Sequence, residues 1–299
     1  MRYLLLILLT IGLQSATLAQ NDPFKPNYPD SVNKKRLRTV IITESVAYAG
    51  AMFGLYQLWY KGNDFTKFHF YNDTGDWLQH DKLGHTYAAY QQGVLGYHAL
   101  RWAGVDEKKA AIFGGGLGIL MQTPIEILDG HSEAWGASPG DLVANTAGSL
   151  LFIGQQLAWH DQRIKMKFSF TPSPYAELRP GKLGDSFWSE MVQDYNGQTI
   201  WFSASPASFL GETKLPAWLC IAGGYGIDGV LDNSENPERF SDYRRQRQFY
   251  LSLDIDFTRI KTRSRFLRTL FVGLNMLKVP APAIEFNQHG KTKFRPFFF

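Results

Sequence analysis

The stretch LAWHDQRIKMKFSFT, residues 157–171, decides the fold class, because the hydrophobic period of the chain changes inside it. Up to Trp159 the apolar residues follow a helical spacing, whereas from Arg163 onward Ile164, Met166 and Phe168 alternate with polar residues. Strict alternation is typical of a strand, and a period near 3.6 is typical of a helix. The sequence therefore predicts an α+β protein, with a helical region over residues 37–161 and a mainly antiparallel β region over residues 162–299.

The helical region contains four stretches with helical features: Leu37 to Tyr60, Trp77 to Trp102, Glu107 to Leu128, and Pro139 to Trp159. Asp106 and Ser138 stand where N-caps are expected, and Pro139 takes the first helical position. Small residues recur at every fourth position, which lets helix backbones approach closely; they are Ala110, Gly114 and Gly118. These signals predict a four-helix bundle.

The C-terminal region contains alternating segments that predict strands: RIKMKFSFT, QTIWFSAS, AWLCIAGGYGI and FYLSLDIDFT. In the last of them, Leu251 and Leu253 face one way while Ser252 and Asp254 face the other, so the strand has one wet face. SRFLRTLFVGLNMLK reads as an amphipathic helix, and the chain ends in KFRPFFF, similar to the aromatic last strand of outer-membrane barrels. We expect an antiparallel sheet or a partial barrel.

The N-terminus predicts export. Residues 1–19 have the layout of a secretory signal peptide, and residues 20–36 read as a polar linker. The single cysteine, Cys220, is far from the predicted cleavage site, so the lipid anchor of a bacterial lipoprotein is not expected. Residues 162–299 carry 19 Lys and Arg against 13 Asp and Glu. For an exported protein the natural counter-charge is anionic lipid rather than nucleic acid.

Polar residues at the helix ends predict a site. Asp81 and His85 are spaced i, i+4, and Glu126 and Asp129 are spaced i, i+3, so each pair shares a helix face. If the helices alternate in direction, both pairs meet Asp141 at one end of the bundle. We expect His85 to be a base or a metal ligand, with Asp81, Glu126, Asp129 and Asp141 as its carboxylate partners and Lys82, Ser138 and Asn145 in binding roles.

The metal, if one is bound, would be a divalent cation, and its candidate ligands are His85, Glu126 and Asp129. Each residue also has a structural interpretation: Asp141 completes the capping box of Ser138, Asn145 bonds a neighbouring helix, and Asp129 only ends the third helix. HExxH and paired CxxC motifs are absent from the sequence, which excludes the common zinc-peptidase and zinc-ribbon patterns.

A nucleotide partner is not expected. GYGIDG, residues 224–229, matches the dinucleotide pattern GxGxxG, but VLDNSENPERF follows it and cannot open the helix that would hold a pyrophosphate. GGGLG, residues 114–118, lacks the Lys-Ser/Thr of a phosphate loop.

The sequence resembles the YfiM-like family, an uncharacterised domain of Gram-negative envelope proteins. The resemblance is carried by WLQHDKLGH, PIEILDG, GASPGDLVANTAGS, DYNGQTIWFS and LSLDIDF. More distantly, the order D-K-x-x-H, then E, then D-x-x-x-N-x-x-G is similar to VanZ-like membrane proteins. In that comparison the matching positions are Asp81, Lys82, His85, Glu126, Asp141, Asn145 and Gly148.

Two functions follow as hypotheses. The first is a non-enzymatic envelope protein at the outer membrane or in the periplasm, which binds lipid or an envelope protein through the helical region. The second is an envelope enzyme or metal-dependent protein that acts on a lipid or a cell-wall precursor with His85 as base or ligand. Location in the inner membrane would instead favour the VanZ-like comparison.

Overall fold

The structure, a computed structural model, describes residues 28–210 and 213–299. The predicted signal peptide, residues 1–19, lies outside the described residues. The helices are α1 (Lys34–Leu55), α2 (His80–Trp102), α3 (Glu107–Gly115), α4 (Leu117–Gly130), α5 (Pro139–Trp159), α6 (Pro180–Leu183), α7 (Phe187–Gln193) and α8 (Arg265–Leu274). The strands are β1 (Ile164–Phe170), β2 (Gln198–Ala204), β3 (Leu219–Asp228), β4 (Gln246–Ile255), β5 (Ala281–Asn287) and β6 (Thr292–Phe298).

The N-terminal caps follow the sequence signals. The Asp106 side chain accepts from the Lys109 backbone N–H, and the Ser138 hydroxyl accepts from the Asp141 N–H. Asn33 caps α1, so this helix begins at Lys34, inside the stretch predicted as linker. A side-chain acceptor at this position satisfies one of the free N–H groups of the first helical turn.

The predicted four-helix bundle is not what the structure shows. The third predicted helix is interrupted at Gly116, where three successive glycines disfavour continuous helix. The core of the helical region also includes the sheet, since the buried cluster joins Tyr90, Tyr97 and Phe152 with Met166 of β1 and Ile200 of β2. The result is a packed group of helices that shares its core with two strands.

Close approach of the helices depends on glycine. A Cβ built at Gly148 of α5 would overlap the Thr86 carbonyl oxygen of α2 and lie 3.0 Å from the Ala89 Cβ. At Gly118 of α4, a Cβ would lie 2.5 Å from both the Ala89 carbonyl oxygen and the Ser149 hydroxyl. The predicted role of small residues in packing is confirmed for Gly118, and Gly148 adds to it.

In the described part of the chain the strands form one antiparallel sheet of six, in the order β1-β2-β3-β4-β5-β6. The sheet is not closed into a barrel. The free edge of β1 is instead covered by the segment after α8, because Phe168 exchanges backbone hydrogen bonds with Met276 and Lys278. The sequence patterns missed β5, whose alternation is interrupted by Pro282.

In β4 the apolar face is exposed and the polar face is buried, the opposite of what the sequence pattern predicts. Ser252 and Asp254 are buried, whereas Leu251 and Leu253 are 47% and 52% exposed. The buried side is held by an ion pair between Lys167 and Asp254, at 2.7 Å, and by the Ser203 hydroxyl, which donates to the same carboxylate. The polar residues of this strand therefore form the interior, and its apolar residues form the outer surface.

Two helical stretches, Lys34–Tyr60 and Glu107–Gly130, are long and apolar enough to cross a membrane by length and composition. The first includes a single π-helical turn, Tyr56–Tyr60, and the second includes the break at Gly116. A core helix of a soluble protein meets the same criteria of length and hydropathy, so the criteria do not show that either helix crosses a membrane.

Candidate functional site

The predicted polar residues meet where α2 begins, α4 ends and α5 begins. An unusual turn leads into α2: Trp77, Leu78 and Gln79 all have positive φ values, of 47°, 51° and 65°. Left-handed backbone at consecutive non-glycine residues is strained and persists only when surrounding contacts enforce it. One such contact is the Leu78 carbonyl, which accepts from the Tyr225 hydroxyl of β3. The sheet thus helps to fix the start of α2.

His85 lies at the centre of the cluster. Its Nδ1 is 3.1 Å from the Asn145 Oδ1 and 3.9 Å from the Glu126 Oε1, and its Nε2 is 3.8 Å from the Asp141 Oδ1. The convergence expected from helix spacing is therefore present for these four residues. Their chemical roles remain predictions.

Lys82 is the cation that joins the carboxylates. Its Nζ is 2.5 Å from Asp73, 2.7 Å from Asp141 and 3.2 Å from Asp81. Burial opposes the charged form of this lysine, but Asp81 and Asp141 outweigh it and raise its pKa. Lys82 is therefore held as an ammonium group inside the cluster.

At the N-terminus of α5 the Asp141 side chain does not act as a capping group. In a complete capping box the Asp141 side chain would bind the Ser138 backbone N–H. Here the Glu126 Oε2 accepts from that N–H at 3.2 Å, and the Ser138 hydroxyl donates to Asp73. The Asp141 carboxylate is thus left to face Lys82 and His85, so Asp141 does not complete a capping box with Ser138.

The remaining predicted residues lie at the edge of the cluster. Asp129 accepts from the Tyr60 hydroxyl at 2.5 Å, and Asp81 accepts from the Tyr195 hydroxyl at 2.7 Å. Tyr60, Asp73 and Tyr195 were not predicted as site residues. Asn196-Gly197 is typical of a hairpin turn, but the structure has a short 3-10 helix there, Tyr195–Gly197, between α7 and β2, and the pattern gives no indication of the contact between Tyr195 and Asp81.

Burial and mutual repulsion perturb the titratable groups. Burial raises the pKa of Glu126 to about 7, and it raises the pKa values of Asp129 and Asp141 to about 6. For His85, burial opposes the charged form, but Asp81, Asp141 and Glu126 outweigh it and raise the pKa. For Asp81, His85 and Lys82 outweigh burial and lower the pKa. We therefore expect Glu126, Asp129 and Asp141 to titrate nearer to neutral pH than ordinary carboxyl groups do, and to be coupled to His85.

Asp81, His85 and Asp141 each offer one ligand atom, and these three atoms lie within 4.8 Å of one another. Among the described residues this is the group whose geometry suits a metal ion. It shares only His85 with the metal candidates predicted from sequence, because Asp129 is turned to Tyr60 and Glu126 is bound to the Ser138 N–H.

A large cavity adjoins the cluster. It has a volume of about 1810 Å³, and residues of α1, α2, α4, β1, β2 and α8 line it. Asp81, His85, Asp129 and Asp141 are among the lining residues, as are charged residues of other segments such as Glu44, Lys165 and Arg268. The apolar lining residues include Ala47, Ala51, Ala88, Leu95, Met121 and Ile125.

Comparison with known proteins gives one family match to report. Residues 69–153 match the model of DUF2279, described as a predicted periplasmic lipoprotein. No curated protein and no solved structure matches the chain. The matched region runs from the loop before α2 into α5, and it contains Asp73, Lys82, His85, Glu126 and Asp141. This region is therefore similar to DUF2279, which fits an uncharacterised domain of the Gram-negative envelope and an exported, periplasmic location.

Proposed function

We propose that this protein is an exported envelope protein, associated with the outer membrane, that binds a lipid in the cavity along α2 with the lipid headgroup at the His85 cluster. The observation that carries the proposal is the cavity itself, whose lining combines many apolar residues of α1, α2 and α4 with the charged cluster around His85. An amphiphile likewise combines an apolar chain with a polar head.

The dimensions of the cavity support a lipid rather than a small metabolite. Its volume of about 1810 Å³ exceeds the roughly 300–1,000 Å³ that is usual for small-molecule sites. Along α1 and the π-helical turn that follows it, the lining extends from Thr39 to Trp59, a distance of about 30 Å at about 1.5 Å per helical residue. One leaflet of a bilayer has a hydrocarbon thickness of about 15 Å, half of the ~30 Å core. A lipid chain therefore fits within the length of the cavity.

The packing of α1 is consistent with a chain lying beneath it. At one end α1 contacts α2 through a small buried cluster of Val40, Ala99 and Ala103. Farther along, the Tyr48 hydroxyl donates to the Met121 carbonyl of α4. Ala47 and Ala51, on either side of Tyr48 in the sequence, line the cavity.

Lipid binding is tested by native mass spectrometry of the purified protein after exchange with phosphatidylethanolamine and phosphatidylglycerol. We expect one retained lipid per chain. Ala51→Trp fills the cavity and should reduce lipid retention at least tenfold, whereas Ala49→Trp, two residues away on the exposed face of α1, should leave it unchanged. The proposal is wrong if the wild-type protein retains no lipid or if the two variants behave alike.

Association with the outer membrane is supported by the apolar outer surface of the sheet, where Phe249, Leu251, Leu253 and Ile284 are exposed. Exposed apolar surface of this extent is typical of a binding face. Membrane fractionation tests the location. Recovery in the soluble periplasmic fraction would remove the membrane part of the proposal, and recovery with the inner membrane would favour the predicted similarity to VanZ-like proteins.

A second candidate function is an enzyme that acts on the bound lipid or on a cell-wall precursor. It is favoured by the position of His85 at the cavity wall, with carboxylates of Glu126 and Asp141 within 4 Å of its ring nitrogens. In that case His85→Ala should abolish turnover while lipid retention and folding persist. Equal loss of lipid retention and folding would point to a structural histidine.

A further inference from the structure

The group formed by Asp81, His85 and Asp141 has the composition and spacing of a metal centre. We infer that it binds a first-row divalent cation, with Zn²⁺ the best match. This site goes beyond lipid binding and does not depend on it, since its evidence is the geometry of the three ligands.

The spacing is close to what zinc requires. Zn–N and Zn–O bonds are about 2.0–2.2 Å long, so two ligand atoms of a tetrahedral ion lie about 3.3–3.6 Å apart. His85 Nε2 and Asp141 Oδ1 are 3.8 Å apart, and the full set lies within 4.8 Å. Binding therefore requires the His85–Asp141 pair to approach by a few tenths of an ångström and the most distant pair by about 1 Å. Three protein ligands with a free fourth position are typical of zinc centres that hold a further oxygen ligand.

The contact of His85 Nδ1 with Asn145 orients the imidazole so that Nε2 is available as a metal ligand. Asn145 presents its Oδ1 to His85 Nδ1 at 3.1 Å, and in the tautomer that this contact favours the proton lies on Nδ1. The Nε2 lone pair then faces the Asp141 Oδ1, which also contacts the Lys82 ammonium group. Such orientation of a ligating histidine by an outer partner is common in metal sites.

Unpartnered buried atoms give an independent indication of a ligand. Glu126 Oε1 and Asn145 Nδ2 have no hydrogen-bond partner, although both residues are only 2% exposed. Buried polar atoms are nearly always satisfied. Glu126 Oε1 lies 3.9 Å from His85 Nδ1 and therefore borders the imidazole that would bind the metal. A water held beside this ring would supply the missing donor to Glu126.

The cluster has more carboxylates than the Lys82 ammonium group can neutralise, and a bound metal ion would compete with Lys82 for them. Asp73, Asp81 and Asp141 all contact the single ammonium group of Lys82. Two of these three carboxylates are the proposed metal ligands. Removal of the lysine charge should therefore strengthen cation binding, an effect that a merely structural lysine would not produce.

The test is Zn²⁺ binding by the untagged full-length protein after removal of metal with EDTA, measured by isothermal titration calorimetry and by elemental mass spectrometry. We expect one Zn²⁺ per chain. His85→Ala should weaken binding at least tenfold, and Lys82→Gln should tighten it several-fold. His131→Ala is the matched control, because His131 follows α4 and bonds the Thr66 carbonyl outside the proposed site.

Circular dichroism of each variant separates loss of a ligand from loss of the fold, and tighter binding by Lys82→Gln requires a folded site. The inference is overturned if the wild-type protein binds no Zn²⁺, if His85→Ala binds it as well as the wild type does, or if His131→Ala loses it equally. Lipid retention measured in EDTA is a separate result, so failure of the metal site and failure of lipid binding are distinguishable.

Discussion

Two glycines of α5 provide a matched test of how closely this helix must pack against α2. A Cβ at Gly148 would overlap the Thr86 carbonyl, whereas a Cβ at Gly154 would have no heavy atom within 4 Å. Both residues lie within the same helix, Pro139–Trp159. Replacement by alanine gains about 1 kcal/mol of helix propensity at either position, so the difference between the variants isolates the steric cost at Gly148.

Overpacking by one methyl group costs about 1–3 kcal/mol, and here the upper part of that range applies because the obstacle is backbone that cannot rotate away. We therefore expect Gly148→Ala to be about 2–3 kcal/mol less stable than Gly154→Ala. With a urea m value of about 2 kcal/mol/M, the unfolding midpoints should differ by roughly 1 M. Circular dichroism and tryptophan fluorescence during urea titration measure this difference.

The same substitution should disturb the polar cluster. Thr86 directly follows His85, and Asn145 lies one turn before Gly148, so separation of the two helices lengthens the bond between His85 and Asn145. Equal stability of the two alanine variants would refute the close packing of α5 on α2. Equal stability would also remove the support that this contact gives to the His85 site.

Three further changes test other parts of the structure by urea unfolding. Ser138→Ala removes the cap of α5 and should cost about 1 kcal/mol; an unchanged midpoint would contradict the cap. Burial raises the pKa of Glu44 from 4.5 to about 7, so the folded state retains its proton where the unfolded state has lost it. Stability should therefore fall as pH rises from about 4.5 to 7, and Glu44→Gln should abolish that part of the slope; a persisting slope would refute its assignment to Glu44. Asp254→Ala leaves Lys167 and Lys278 buried without their carboxylate and should cost about 3–5 kcal/mol; a loss below 1 kcal/mol would mean that water reaches these lysines.

The sequence by itself determined the fold class and most of the elements. Local rules were sufficient here: the caps at Asp106 and Ser138 and the change of period after Arg163 act through neighbouring residues. Helix periodicity placed Asp81 and His85 on one face of α2, because residues three or four apart share a face. The approach of His85 to Glu126 and Asp141 rested on the further assumption that the helices alternate in direction.

Only the tertiary structure decided which side of the sheet is buried and which groups complete the polar cluster. Alternation separates Ser252 from Leu251, but it cannot say which faces the interior, since that depends on Lys167 reaching Asp254 from another strand. Asp141 is released from its cap because Glu126, on a different helix, takes the Ser138 N–H. Such competition between partners distant in the chain leaves no local signal, because it is settled only when the elements pack.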